Sequence, residues 1–170
     1  GARVVVNDFD AAPAAEVVAE IQAAGGEAVA RIGDVADWEA AKGLVGAAAS
    51  AWGRLDVVVN NAGFVRDRMF VTTSEDEWDA VVRVHLKGHF AVARHAAAYW
   101  RDAAKRGDAV DARIINTTSG AGLQGSVGQS SYAAAKAAIT ALTLVQPAEL
   151  GRYGLDLSKG LAAVFTGHVQ

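Results

Sequence analysis

The chain has 170 residues, of which 52% are hydrophobic and 21% charged, a balance that suits one globular domain with a sizeable core. Its net charge of −3 gives no reason to expect nucleic acid or an anionic membrane as partner, and no apolar run reaches transmembrane length. The absence of cysteine excludes disulfides, thiolate catalysis and cysteine metal sites, and fits a reducing compartment such as the cytoplasm.

Arg3–Asn7 reads as a short buried strand built on Val4, Val5 and Val6. Asp10 can cap the helix that follows, which carries Val17, Val18 and Ile21 and is stopped by Gly25-Gly26. Glu27–Ile32 is a second strand. Asp37 caps a helix with Trp38, Ala41, Leu44, Val45, Ala48 and Trp52 at helical spacing, closed by Gly53. Leu55–Asn60 is a third strand whose valine run is typical of parallel strands covered on both faces. Ser74-x-x-Glu77 is a capping-box sequence, and the long helix after it is expected to bury Trp78, Val81, Val82, His85 and His89. Asp102–Asp111 reads as a polar connection, Arg113–Thr117 as a fourth strand and Ser131–Leu150 as an alanine-rich helix. Pro147 removes an N–H and is expected to kink or end that helix about a turn before it. Strands alternating with helices on short loops imply an α/β fold with a doubly wound parallel sheet.

Tyr132 and Lys136 stand four residues apart, which puts both side chains on one helix face. A phenol with an ordinary pKa near ~10 is a poor base at neutral pH, and a nearby ammonium favours its ionised form. Ser119, at the end of the fourth strand, can donate to an oxygen on which charge develops. The pair by itself is weak evidence, because an amphipathic helix with a surface lysine produces it by chance.

The flanking residues carry more weight. Ile114-Ile115-Asn116-Thr117-Thr118-Ser119-Gly120-Ala121-Gly122, followed by Gly128-Gln129-Ser130-Ser131-Tyr132-Ala133-Ala134-Ala135-Lys136-Ala137, closely resembles the catalytic segment of the short-chain dehydrogenase/reductase family. Asn60-Asn61-Ala62-Gly63 resembles that family's cofactor-lining motif, and Gly33-Asp34-Val35 its adenine pocket. The resemblance implies Tyr132 as acid/base, Lys136 as its pKa partner and ribose ligand, and Ser119 as the residue orienting a carbonyl. It implies hydride transfer between a nicotinamide cofactor and a secondary alcohol or ketone, with Asp34, Val35, Asn61, Ala62 and Gly63 lining the cofactor cleft and no metal. A homodimer or homotetramer through the two long helices, near Trp78–Trp100 and Ser131–Leu150, is implied as well. A nucleotide-sugar epimerase shares the Tyr-x-x-x-Lys logic, but Asn-Asn-Ala-Gly and the short length count against it.

Asp8 ends the first strand, where an acidic residue accepts from the adenosine ribose hydroxyls and repels a 2′-phosphate. No arginine follows it, so NAD is favoured over NADP; the bland alternative is a turn aspartate. Asn60 is expected to brace neighbouring strands, and Gly63 to let backbone approach a ligand closely. His85 stands where the family often has an asparagine that connects the lysine to a water relay. It can serve that relay, or be a satisfied core histidine on an apolar face.

No Gly-x-x-x-Gly-x-Gly turn precedes these motifs, and the family's substrate segment has no match between Leu155 and Gln170. The expected architecture is therefore a Rossmann-like sheet truncated at both ends, with residues 1–154 a partial dehydrogenase domain and 155–170 a tail outside the pattern. In the strand order 3-2-1-4-5-6 the unmatched strand is central. Its absence predicts a gap that is filled by a partner, closed by direct pairing, or paid for in stability. The competing reading is an inactive fragment that keeps a helix-mediated association surface. Phe64, Val65, Arg68, Met69 and Leu123–Gly128 face the substrate in the family and do not by themselves select one.

Overall fold

The structure is a computed structural model; it describes residues 1–153, Leu155 and the backbone of 161–166. In chain order it contains β1 (Arg3–Asp8), α1 (Ala11–Ala23), β2 (Glu27–Ile32), α2 (Trp38–Trp52), β3 (Val57–Asn60), α3 (Glu75–Val82), a π-helical turn (Arg83–Lys87), α4 (Gly88–Lys105), β4 (Arg113–Ser119), α5 (Ala121–Gln124), α6 (Ser130–Leu150) and β5 (Leu161–Thr166). All strand pairs are parallel.

Local chemistry explains most boundaries. Asp37 caps α2 by accepting from the Ala40 amide, and Gly53 ends it at φ +73°. Ser74 and Glu77 form a reciprocal capping box at the start of α3. Asp10 occupies the N-cap of α1 without bonding through its side chain, contrary to the expectation; Asp8 Oδ1 instead accepts from the Asp10 amide. The long helix expected after Ser74 is interrupted by the π turn. Pro147 does not break α6, which runs on to Leu150. Its site near the C-terminus leaves few residues beyond it to support, and the side chains of Thr143 and Gln146 are anchored to Asn116 across the core.

The strands form two sheets, β1-β2 and β3-β4-β5, with no pairing between β1 and β3. Direct pairing across the central gap is thus not what the chain adopts. The three valines of β3 do not behave as a strand covered on both faces: Val58 is buried, but Val57 and Val59 are 47% and 60% exposed. β1, expected to be buried, is only half-buried. Both departures have one cause, since nothing among the described residues covers the edges and faces next to the gap. Trp78 is likewise 37% exposed rather than core. On the other side of β3 and β4 a continuous core forms from Ala41 and Val45 of α2, Val58, Trp100 of α4 and Ile114. Trp100 Nε1 donates to the Leu55 carbonyl at 2.7 Å, which satisfies its polar edge inside that core.

Within the segment read as a tail, Leu161–Thr166 adds a third strand to β4, in register from Ile114–Leu161 to Ser119–Thr166. The signal for this strand is its composition: Leu-Ala-Ala-Val-Phe-Thr is a short apolar run with β-branched and aromatic residues.

Candidate active site

The predicted site residues lie at the carboxyl ends of parallel strands, where open α/β sheets bind ligands. Asp8 ends β1, Asp34 and Val35 follow β2, Asn61-Ala62-Gly63 follows β3, and Ser119 ends β4. Tyr132 is in the first turn of α6, and Lys136 is one turn further on.

Tyr132, Lys136 and His85 form one cluster. Lys136 Nζ stands 5.6 Å from the centre of the Tyr132 ring, and the His85 ring meets that ring edge-on at 5.2 Å. Lys136 is 2% exposed, and its ammonium donates to the Thr117 carbonyl at 2.6 Å. Burial pulls its pKa down from the usual value to about 8, so it remains mostly charged at neutral pH. Gly122 lets α5 approach this helix, since a Cβ there would sit 2.7 Å from the Ala137 nitrogen. Ser119 is buried, with its Oγ accepting from the Ala121 amide at 3.2 Å.

The lowered lysine pKa has a consequence for stability. In the unfolded chain Lys136 keeps its proton up to its ordinary 10.5, whereas in the folded chain it gives it up at about 8. Between those values the unfolded state binds more protons, so stability rises with pH. The burial penalty relieved is on the order of 3 kcal/mol. Lys136→Met is therefore expected to be more stable than the parent at neutral pH and to lose the upward slope across that window. Urea unfolding at the two pH values checks this, and an equal slope in parent and variant would exclude it.

Behind the cluster, Asn116 is fully buried and joins three elements. It accepts from Asn60 Nδ2 at 2.9 Å and donates to Thr143 Oγ1 at 2.9 Å and Gln146 Oε1 at 3.1 Å. Asn60 thus braces β3 against β4, as expected. Asn61, Ala62 and Gly63 are exposed, and Thr117 Oγ1 donates to Asn61 Oδ1.

His85 is not a satisfied core histidine. It is 2% exposed, its Nε2 lies 2.7 Å from the Phe64 carbonyl and 3.1 Å from the Phe64 amide, and its Nδ1 has no partner among the described residues. Burial, with Lys136 adding to it, holds its pKa below the usual value. His89, also buried, is driven to about 4 by burial and by Lys136, so both rings are neutral near pH 7.

Asp34 Oδ1 accepts from the Ala36 amide at 2.8 Å, and Oδ2 pairs with Arg83 Nη2 at 2.7 Å. Burial raises its carboxyl pKa, but those two partners outweigh the burial and leave it below the ordinary value. Asp8 stays with the first sheet, where its carbonyl accepts from the Gly33 amide at 3.0 Å. Sequence reasoning missed Arg83, Asn116 and Gly122. A polar Asn-Thr-Thr-Ser run at the end of an apolar strand was the available signal for Asn116; nothing local pointed to Arg83.

Among the described residues there is no group of three or more metal-ligating side chains, and no helix is long and apolar enough to cross a membrane.

Parallel strands alternating with helices, and a Tyr-Lys pair on a helix beside a strand-end serine, define an α/β oxidoreductase scaffold. The chain belongs to the short chain dehydrogenase family, whose model matches residues 1–164. It is 56% identical over 162 residues to the hydroxyacyl-CoA dehydrogenase ChsB1 of Mycobacterium tuberculosis, a match that covers 91% of this chain and 51% of that protein. It is 43% identical over 151 residues to the peroxisomal multifunctional enzyme type 2 of Mus musculus, covering 84% of this chain and 19% of that enzyme. The crystal structure of a short chain dehydrogenase from Mycobacterium avium superposes with a TM-score of 0.88 at 62% identity, covering 91% of this chain and 58% of that one. The chain thus spans about half the length, or less, of these curated relatives.

Proposed function

We propose that this chain carries the catalytic residues of an NAD-dependent dehydrogenase for 3-hydroxyacyl thioesters of coenzyme A. The observation that carries the chemistry is the buried Lys136 ammonium 5.6 Å from the Tyr132 ring. The substrate class rests on the name of ChsB1, at 56% identity. An apolar rim agrees with an acyl substrate: Met69, Phe70 and Val71 in the segment after β3, and Leu123 of α5 and Val127 just beyond it, are 59–88% exposed. The two segments are tied together, Arg68 donating its amide to the Gly128 carbonyl at 2.8 Å and Gln129 its side-chain amide to Asp67 at 3.2 Å.

In oxidation, the Tyr132 phenolate accepts the substrate hydroxyl proton, and the phenol returns it in reduction. The Lys136 ammonium stands 5.6 Å from the Tyr132 ring, and Ser119 donates to the substrate oxygen. NAD, when bound, supplies the hydride acceptor. Asp8 would hold the adenosine ribose and disfavour a 2′-phosphate, Asp34 and Val35 would line the adenine pocket, and Asn61-Ala62-Gly63 would line the cleft towards the nicotinamide. These strand-end groups fit a dinucleotide.

The expected result is saturable NADH binding, tighter than NADPH binding, followed by protein fluorescence, together with NADH formation from a 3-hydroxyacyl-CoA. No saturable signal with either nucleotide would defeat the reading. It would favour the association surface instead, for which Phe90, Leu144 and Val145, 45–72% exposed on α4 and α6, are the supporting observation.

A further inference from the structure

The π turn between α3 and α4 touches each segment assigned to the cofactor cleft beyond β1. Its hydrogen bond runs from the Gly88 amide to the Arg83 carbonyl, five residues back. In an α-helix, residues five apart point in different directions; a π turn stacks them on one side. Two consecutive residues of the loop after β2 meet that side. Asp34 pairs with Arg83 at 2.7 Å, and Val35 packs so closely on Gly88 that a Cβ there would lie 2.7 Å from Val35 Cγ2.

His85, two residues on from Arg83, points to nearly the opposite side of the helix. There it meets the turn after β3. Its ring contacts both backbone polar groups of Phe64, and a Cβ at Gly63 would lie 2.0 Å from its Cε1. The same ring lies edge-on to Tyr132. One irregular turn therefore reaches the adenine-side loop with Arg83 and the adjoining Gly88, and the nicotinamide-side turn and the tyrosine with His85. π turns occur often at functional sites because they redirect side chains in this way.

We propose that the π turn Arg83–Lys87 is the staple that sets the two halves of the cofactor cleft, with Arg83 the positioning residue for Asp34 and Val35, and His85 the positioning residue for Gly63, Phe64 and Tyr132. This rests on the assignment of those segments to the dinucleotide. Arg83 acts through Asp34: it fixes one carboxylate oxygen, which leaves the other to hold the Ala36 amide. His85 acts through Phe64: in one neutral tautomer Nε2 donates to the Phe64 carbonyl at 2.7 Å, and in the other it accepts from the Phe64 amide at 3.1 Å.

The test separates the two arms. Amide hydrogen exchange is measured on the chain and on Arg83→Gln, Arg83→Lys, His85→Gln and His85→Phe. Arg83→Gln is expected to speed exchange at Ala36 about two- to fivefold and leave Phe64 unchanged, with Arg83→Lys largely restoring the parent rate. His85→Phe is expected to speed exchange at Phe64 about three- to tenfold and leave Ala36 unchanged, with His85→Gln, which keeps a donor and an acceptor, in between. Nucleotide halves give the functional readout. Arg83→Gln weakens adenosine monophosphate two- to fivefold and spares nicotinamide mononucleotide, and His85→Phe does the reverse. Arg83 is half-exposed, so its variants retain the fold; melting temperatures identify any His85 variant that does not.

Equal effects of both variants on both nucleotides, or unchanged exchange at Ala36 in Arg83→Gln, would overturn the proposal. A parent chain that binds neither nucleotide sinks the dinucleotide assignment and the functional split with it, whereas the exchange rates still decide whether Arg83 and His85 hold these segments.

Discussion

Tyr132→Phe is expected to remove the chemical step while leaving the fold and nucleotide binding in place. The substitution deletes one oxygen. It keeps the ring that packs edge-on against His85 and beneath Lys136, so the melting temperature stays close to that of the parent. It also removes the only group in the proposed mechanism that exchanges a proton with the substrate. Positioned acid/base groups contribute about 10²–10⁴-fold to rate, so single-turnover NADH formation from a 3-hydroxyacyl-CoA should fall by at least that factor. The affinity for NADH should change less than about twofold, because the lost hydroxyl contributes to the transition state rather than to ground-state binding. Turnover equal to that of the parent would remove Tyr132 from the mechanism and reopen the choice of reaction.

The second large effect is structural. Asn116→Ala is expected to destabilise the chain by roughly 3–5 kcal/mol, a large share of the total stability of a small domain. Asn116 is completely buried, and three side chains from β3 and α6 converge on its amide. Truncation leaves Asn60 Nδ2 with a long contact to the His89 carbonyl at 3.5 Å, and leaves Gln146 Oε1 without its donor. Each buried polar group stranded in this way costs about 1–3 kcal/mol. Asn116→Asp tests the cause separately, because it keeps the acceptor for Asn60 but loses both donors towards α6. Urea unfolding reads the effect, and a loss below about 1 kcal/mol for Asn116→Ala would show that the network is decorative. The same network ties α6, which carries Tyr132 and Lys136, to β4.

Local sequence signals carried the scaffold. The Asp37 cap, the Ser74–Glu77 box and the turn at Gly53 depend on residues within one turn of each other, and each was legible for that reason. Tyr132 and Lys136 could be paired because helical spacing alone brings them to one face. The π turn could not be read in the same way. Its residues meet Asp34 and Val35, about fifty residues earlier in the chain, which no local pattern announces. Pro147 misled for a related reason. Helix propensity penalises it, but anchoring of Thr143 and Gln146 through Asn116 offsets that penalty.

The gap between β1 and β3 shows the same division. Valine runs specify strands wherever they occur, so β1 and β3 form in the expected places. Whether such a strand is covered on both faces depends on neighbours its own residues do not encode, and Val57 and Val59 lie exposed. The sequence by itself therefore determined the alternation of strands and helices from β1 to α6 and the placing of Tyr132 and Lys136 on one helix face, because those rest on residue type and short spacing. Only the tertiary structure decided that Arg83 grips Asp34, that His85 wedges between Phe64 and Tyr132, and that Lys136 is buried with one carbonyl partner. Each of these joins groups many residues apart, and burial and long-range hydrogen bonds, not local propensity, fix them.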